Sequence, residues 1–126
     1  MLDHASNIGL LPSVMLMGPA ASAIATQASE GFSKALQYIV LPQLQAFPGI
    51  DIRVFELFRA VTQRHDDFGS STYGLTLTDV ESPCVTPDVA PFVSPTPDTN
   101  LFWDGIHPTK AVHATLAAEV AAFLAQ

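Results

Sequence analysis

Apolar positions along the chain fall into blocks of helical and strand period. From about residue 20 to 47, Ile24, Ala28, Phe32, Leu36, Ile39 and Val40 recur at three- and four-residue steps. That spacing predicts one long helix with a single apolar face. Gly18-Pro19 provides its start, because proline is tolerated in a first turn where its missing N–H has no partner to lose. Pro42 is expected to kink it, and Pro48-Gly49 to end it. Residues 50–55 alternate apolar and polar before turning continuously apolar, a strand signal. A shorter helix over 56–64 follows, with Phe58 and Val61 at helical spacing. Helix, strand and helix in succession imply α/β layering with a parallel sheet.

Residues 69–100 break this rhythm, with proline at 83, 87, 91, 95 and 97 among Ser, Thr and Asp. This reads as a long irregular segment, and Val89, Phe92 and Val93 imply that it packs down. The chain closes on Leu101-Phe102-Trp103 and a helix over 109–125 whose stripe is Val112, Leu116, Val120, Phe123 and Leu124. Near the start, residues 2–9 hold no complete strand pattern, which reads as a cut through a larger fold.

Charge narrows the function classes. Five Lys+Arg stand against twelve Asp+Glu, for a net charge of −7. No basic stripe exists to displace counterions from nucleic acid, and an anionic membrane surface repels the chain. A neutral or cationic small molecule is the compatible ligand. Only 13% of residues are charged and 48% are hydrophobic, a composition that folds and exposes much uncharged surface. The single cysteine, Cys84, has no partner for an internal disulfide and no neighbour at metal-ligand spacing. Residues 5–29 carry no charge, yet the first basic residue is Lys34, and Pro12, Gly18 and Pro19 interrupt the run. A basic leader and an unbroken apolar span are therefore both lacking, and a buried loop leading into a helix is expected. No cofactor is implied.

The chemistry-bearing stretch is residues 101–109, in which Asp104 and His107 lie three apart on a turn entering a helix. Gly105 is expected to give the turn positive-φ freedom, Pro108 to fix the entry to the helix, and Thr109 to cap it. A carboxylate beside an imidazole selects its tautomer and stabilises the imidazolium that forms when histidine takes a proton from a nucleophile. Asp104 is the candidate orienter and His107 the candidate general base, with Phe102 and Trp103 expected to keep water from the pair. An isolated Asp-x-x-His is common by chance and more often structural. His65 beside Asp66 and Asp67 is similarly read as a solvated helix end rather than a metal site, His113 as a surface residue, and His4 as a rim residue.

Phe-Trp-Asp-Gly-Ile-His-Pro-Thr at 102–109, followed by Ala111, Val112 and His113 and an Ala/Leu-rich helix, closely resembles the last motif block of the SGNH/GDSL lipase and esterase family. Ile8-Gly9-Leu10-Leu11-Pro12 is similar to that family's leucine, glycine, then proline segment, and the strand over 50–55, Tyr73-Gly74 and Cys84 are placed as in its lipase-like members. The resemblance implies a partial flavodoxin-like α/β/α sandwich with parallel strands, residues 1–126 being the C-terminal portion of one domain. It assigns the catalytic Asp and His to Asp104 and His107, in a carboxylic ester hydrolase of the Ser-His-Asp type. The family's Gly-Asp-Ser block and its oxyanion glycine and asparagine have no counterpart here; Gly69-Ser70-Ser71-Thr72 lacks the preceding strand and the Asp. Three readings follow. The nucleophile comes from a complementing N-terminal chain, or one of Ser6, Ser13, Ser70 and Ser71 is recruited, or the chain is a non-catalytic assembly or binding module derived from such a hydrolase. A small-molecule ester is the expected substrate, and an exposed hydrophobic edge is expected to pair with the complementing chain or with another copy.

Overall fold

The computed structural model describes residues 1–71, 73–86 and 92–126; Thr72, Val89, Pro87 and Pro91, to which the sequence drew attention, lie outside them. The chain mixes helices with short strands. Strand β1 (Leu2–Asp3) leads through a 3₁₀ turn (Ile8–Leu10) into α1 (Pro12–Met15) and the long α2 (Pro19–Ala35). A π-helical turn (Leu36–Val40) passes into α3 (Leu41–Gln45), followed by β2 (Val54–Phe55) and α4 (Leu57–Asp66). Strands β3 (Asp79–Pro83), β4 (Val85–Thr86), β5 (Phe92–Val93) and β6 (Asn100–Phe102) precede the terminal α5 (Lys110–Leu124). The expected parallel pairing is present in small form: β1 pairs parallel with β2, and β3 with β6 across an irregular register. Strands β4 and β5 form an antiparallel pair. Residues 69–100 are therefore less irregular than their prolines imply, and the start of the chain does carry a strand, though one of two residues. Val93 is exposed rather than packed down.

One core joins the pieces. Phe55 from β2, Val61 from α4, Val80 from β3, Leu101 and Phe102 from β6, and Val112 and Leu116 from α5 pack together. Of the α5 stripe, Leu124 alone is exposed, at the last residue of the helix. Arg53 fastens that end, donating to the carbonyls of Phe123 and Leu124 at 3.3 Å each and lying over the Phe123 ring. A cation there complements the negative end of the helix dipole. Among the described residues, no helix is long and apolar enough to cross a membrane.

The long helix departs from its sequence pattern in two ways. Pro42 does not simply break it: the Leu41 N–H reaches back five residues to the Leu36 carbonyl, and the π turn lets α3 begin afresh with Pro42 in its first turn. Moreover, the face that α2 buries is not the apolar one. Its buried residues are Ser29 and Ser33, whereas Ile24, Phe32 and Ile39 are 69%, 60% and 59% exposed and Val40 is also on the surface. Small hydroxyl side chains do the docking. Ser22 donates to the Gly9 carbonyl at 2.6 Å, Thr26 to Asn7 Oδ1 at 2.9 Å, and Ser29 accepts from the Ile8 N–H at 3.2 Å. Asn7 also accepts from the Gly9 N–H and donates to Thr62 of α4, so its buried amide ties the 3₁₀ turn to both helices.

Gly9 is where this close approach is tightest. A Cβ built there meets the Thr26 hydroxyl, the Ser22 carbonyl and, at 2.8 Å, the Thr26 nitrogen. Backbone cannot yield as a flexible side chain does, so Gly9→Ala forces the 3₁₀ turn off the helix. We expect a loss of about 1–3 kcal/mol, seen as a lower urea midpoint with little change in the slope of the transition.

Candidate functional site

Strand β6 is wholly buried, and its C-terminal end delivers the chain to the candidate turn. In open α/β folds the carboxyl ends of parallel strands are where ligands meet the protein, because loops there rise from fixed points. The turn is closed by the Trp103 N–H donating to the His107 carbonyl at 2.7 Å and by the Thr109 N–H donating to Leu101 at 3.0 Å. Thr109 is buried, donates its hydroxyl to the Asn100 carbonyl at 2.9 Å, and caps α5 by accepting from the Val112 N–H. The expected cap is thus present, and α5 begins at Lys110, within one residue of the expected start at 109.

Asp104 folds back over its own turn. Its Oδ1 accepts from the backbone N–H groups of Ile106 at 2.9 Å and His107 at 2.7 Å, a pattern to which short carboxylates are suited. Its Oδ2 lies 2.8 Å from His107 Nδ1. A carboxylate only accepts, so Nδ1 carries the hydrogen, and whenever the ring is neutral its lone pair is on Nε2, on the side away from Asp104. Desolvation acts to raise the Asp104 pKa. The Ile106 N–H, the His107 ring, the His107 N–H and the imidazolium charge together outweigh it and hold the carboxyl below its ordinary value.

Two expectations are corrected. Gly105 has no positive φ, and a Cβ there would make ordinary contact with Ser13 at 3.4 Å, so the turn does not draw on glycine's freedom. The aromatic neighbours do not shield the pair either. Phe102 is in the core, Trp103 lines a separate apolar hollow of about 590 Å³ with Pro97, Lys110 and His113, and the His107 side chain is 65% exposed. Water screens an ion pair so placed, and a site that uses it needs a cover to gain strength.

The serines singled out from sequence are distributed unevenly. Ser13, in α1, donates its backbone N–H to the Gly105 carbonyl at 3.1 Å and is placed directly against the turn. Sequence reasoning named this serine but had no sign of the contact, which joins residues far apart in the chain. Ser70 and Ser71 belong to the turn after α4, where Ser70 donates to Asp67 and Ser71 accepts from Gly74. Ser6 is half-buried between β1 and the 3₁₀ turn. His4 donates its N–H to Phe55 and lines a hollow with Glu30, Lys34, Tyr38 and Arg59, not with Asp104 or His107. His65 pairs with Asp66 at 3.2 Å, and His113 is exposed. Among the described residues, no group of three or more His, Cys, Asp or Glu is arranged to hold a metal ion. Cys84 is fully buried. Desolvation, then the charges of Asp79 and Asp98, push its thiol up, which makes it a packing residue rather than a nucleophile. Compared with models of known protein families and with curated proteins, the chain matches none.

Proposed function

We propose that Asp104 and His107 are the acid and base of a carboxylic ester hydrolase of the Ser-His-Asp type, carried on part of a flavodoxin-like α/β/α sandwich. The observation that carries this reading is the 2.8 Å contact between Asp104 Oδ2 and His107 Nδ1, with the other carboxylate oxygen pinned by two backbone N–H groups. His107 Nε2 takes the proton from a serine hydroxyl as its oxygen bonds to the ester carbonyl carbon. The imidazolium returns that proton to the departing alcohol oxygen as the C–O bond breaks. Water then attacks the acyl-serine by the same route, releasing the acid and restoring the serine. The serine and the oxyanion donors come, on this reading, from residues outside these 126. Such a complement also supplies the cover that the exposed pair needs.

A second reading, recruitment of Ser13, has one observation in its favour, the Ser13–Gly105 contact at 3.1 Å. A fluorophosphonate probe separates the two. Labelling only when a nucleophile-bearing chain is added, and lost in His107→Ala, supports the first. An adduct on this chain alone, lost in Ser13→Ala, supports the second. No adduct under either condition means a binding module that has kept the turn for its packing.

A further inference from the structure

The outward face of α2 presents a stripe of uncharged residues that none of the described residues covers. Ile24, Ala28, Phe32 and Ala35 fall within roughly a third of the circumference of α2 at 3.6 residues per turn, and Ile39 follows in the π-helical turn. Ile24, Ala28, Phe32 and Ile39 are exposed and Ala35 is half-buried. Over residues 19–47 the only charged side chains are Glu30 and Lys34, which pair with each other at 2.7 Å and line the hollow beside His4. The net charge of −7 therefore resides elsewhere and does not oppose contact here.

Gly31 adds an independent observation. A glycine in a helix interior costs stability relative to alanine, so it needs a reason. Among the described residues nothing lies within 4 Å of a Cβ built on Gly31, and its φ is not positive, so neither space nor strain among them asks for glycine. It sits beside the stripe, next to Phe32.

We propose that this face pairs with the same face of a second copy, the two helices antiparallel about a two-fold axis between Gly31 and Phe32. That axis sets Phe32 over Gly31 of the other copy, Ala28 against Ala35, and Ile24 against Ile39. Large residues meet the partner's gaps or its flanking isoleucines, and the pattern is self-complementary, as an isologous contact requires. The absent side chain at Gly31 lets the facing phenyl ring approach the helix backbone. The stripe offers on the order of 600 Å² per copy, about 1,200 Å² for the pair, at the lower bound of specific interfaces.

Sedimentation equilibrium of the purified chain tests this. The expected result is a concentration-dependent rise from 13.4 kDa toward twice that mass. Gly31→Leu fills the gap with a better helix former, so it is expected to stay monomeric while its thermal midpoint, read at a concentration where the native chain is also monomeric, holds or rises. Phe32→Glu, on the surface of the single chain, is likewise expected to be monomeric. A native chain that stays monomeric at every concentration, or a dimer that persists unchanged in Gly31→Leu, overturns the proposal.

Discussion

Replacing Glu119 with alanine should destabilise the chain by about 3–5 kcal/mol, the range for a buried ion left without its partner. Arg64 is 2% exposed, between α4 and α5. Its guanidinium donates to Glu119 Oε1 at 2.8 Å, to the Ala60 carbonyl at 2.9 Å and to the Thr115 hydroxyl at 3.1 and 3.2 Å, and it lies 4.4 Å from the centre of the Tyr73 ring. The side chain is satisfied on every side, and among the described residues Glu119 is the carboxylate that pairs with its charge. With Glu119→Ala the charge stays where water cannot reach it. Arg64→Met should cost less, because the carboxylate it abandons is a third exposed and can turn to solvent while the thioether fills the space. Glu119→Gln should fall between wild type and Glu119→Ala, since its amide oxygen still accepts a hydrogen bond. Urea unfolding of the three variants supplies the ranking. A Glu119→Ala loss under about 1 kcal/mol would place the pair with ordinary surface bridges.

That bridge also shows what the sequence did and did not disclose. Arg64 falls four residues after Ala60 and three after Val61, and Glu119 three after Leu116, so both sit on the stripes that their helices bury. Two opposite charges on facing apolar stripes are a legible sign of a buried pair, though only once α4 and α5 are known to touch. The helices themselves were readable, as was the Thr109 cap, because each depends on neighbours within one or two turns. The face of α2 was not. Apolar periodicity identifies a stripe that avoids water, and within a single chain that stripe normally turns inward. Here Ser22, Thr26, Ser29 and Ser33 turn inward, since small hydroxyl residues let the Gly9 backbone reach the helix and satisfy its polar groups. The strands were the least readable. A two-residue strand such as β1 leaves no period to detect, and its partner lies some fifty residues away. At the candidate site, the Asp104–His107 contact follows from local geometry and was anticipated. The exposure of His107 depends on what surrounds the turn and could not be.

If Asp104 and His107 serve the proposed ester hydrolysis, Asp104→Asn should reduce it about 10⁴-fold in the assembled site while leaving the turn in place. The amide oxygen can still accept from the Ile106 and His107 N–H groups that Oδ1 holds now. The change falls on the other side of the group, where Oδ2 now accepts from Nδ1. An amide nitrogen there is a donor, so it favours the tautomer with its lone pair on Nδ1 and its hydrogen on Nε2. That ring cannot take a proton from a serine. Initial rates with a chromogenic short-chain ester measure the loss, and circular dichroism checks that the fold survives. Acid stability supplies a second reading that does not depend on activity. Because the Asp104 pKa is lowered on folding, its contribution is fully present above the ordinary value of 3.8 and is lost as pH falls below that toward the folded value. The stability gap between wild type and Asp104→Asn should therefore narrow as pH falls below 3.8. A narrowing gap without the rate loss would mean that the carboxylate holds the turn but does not serve the chemistry. A rate loss with an unchanging gap would mean that Asp104 acts only when the rest of the site has closed over it.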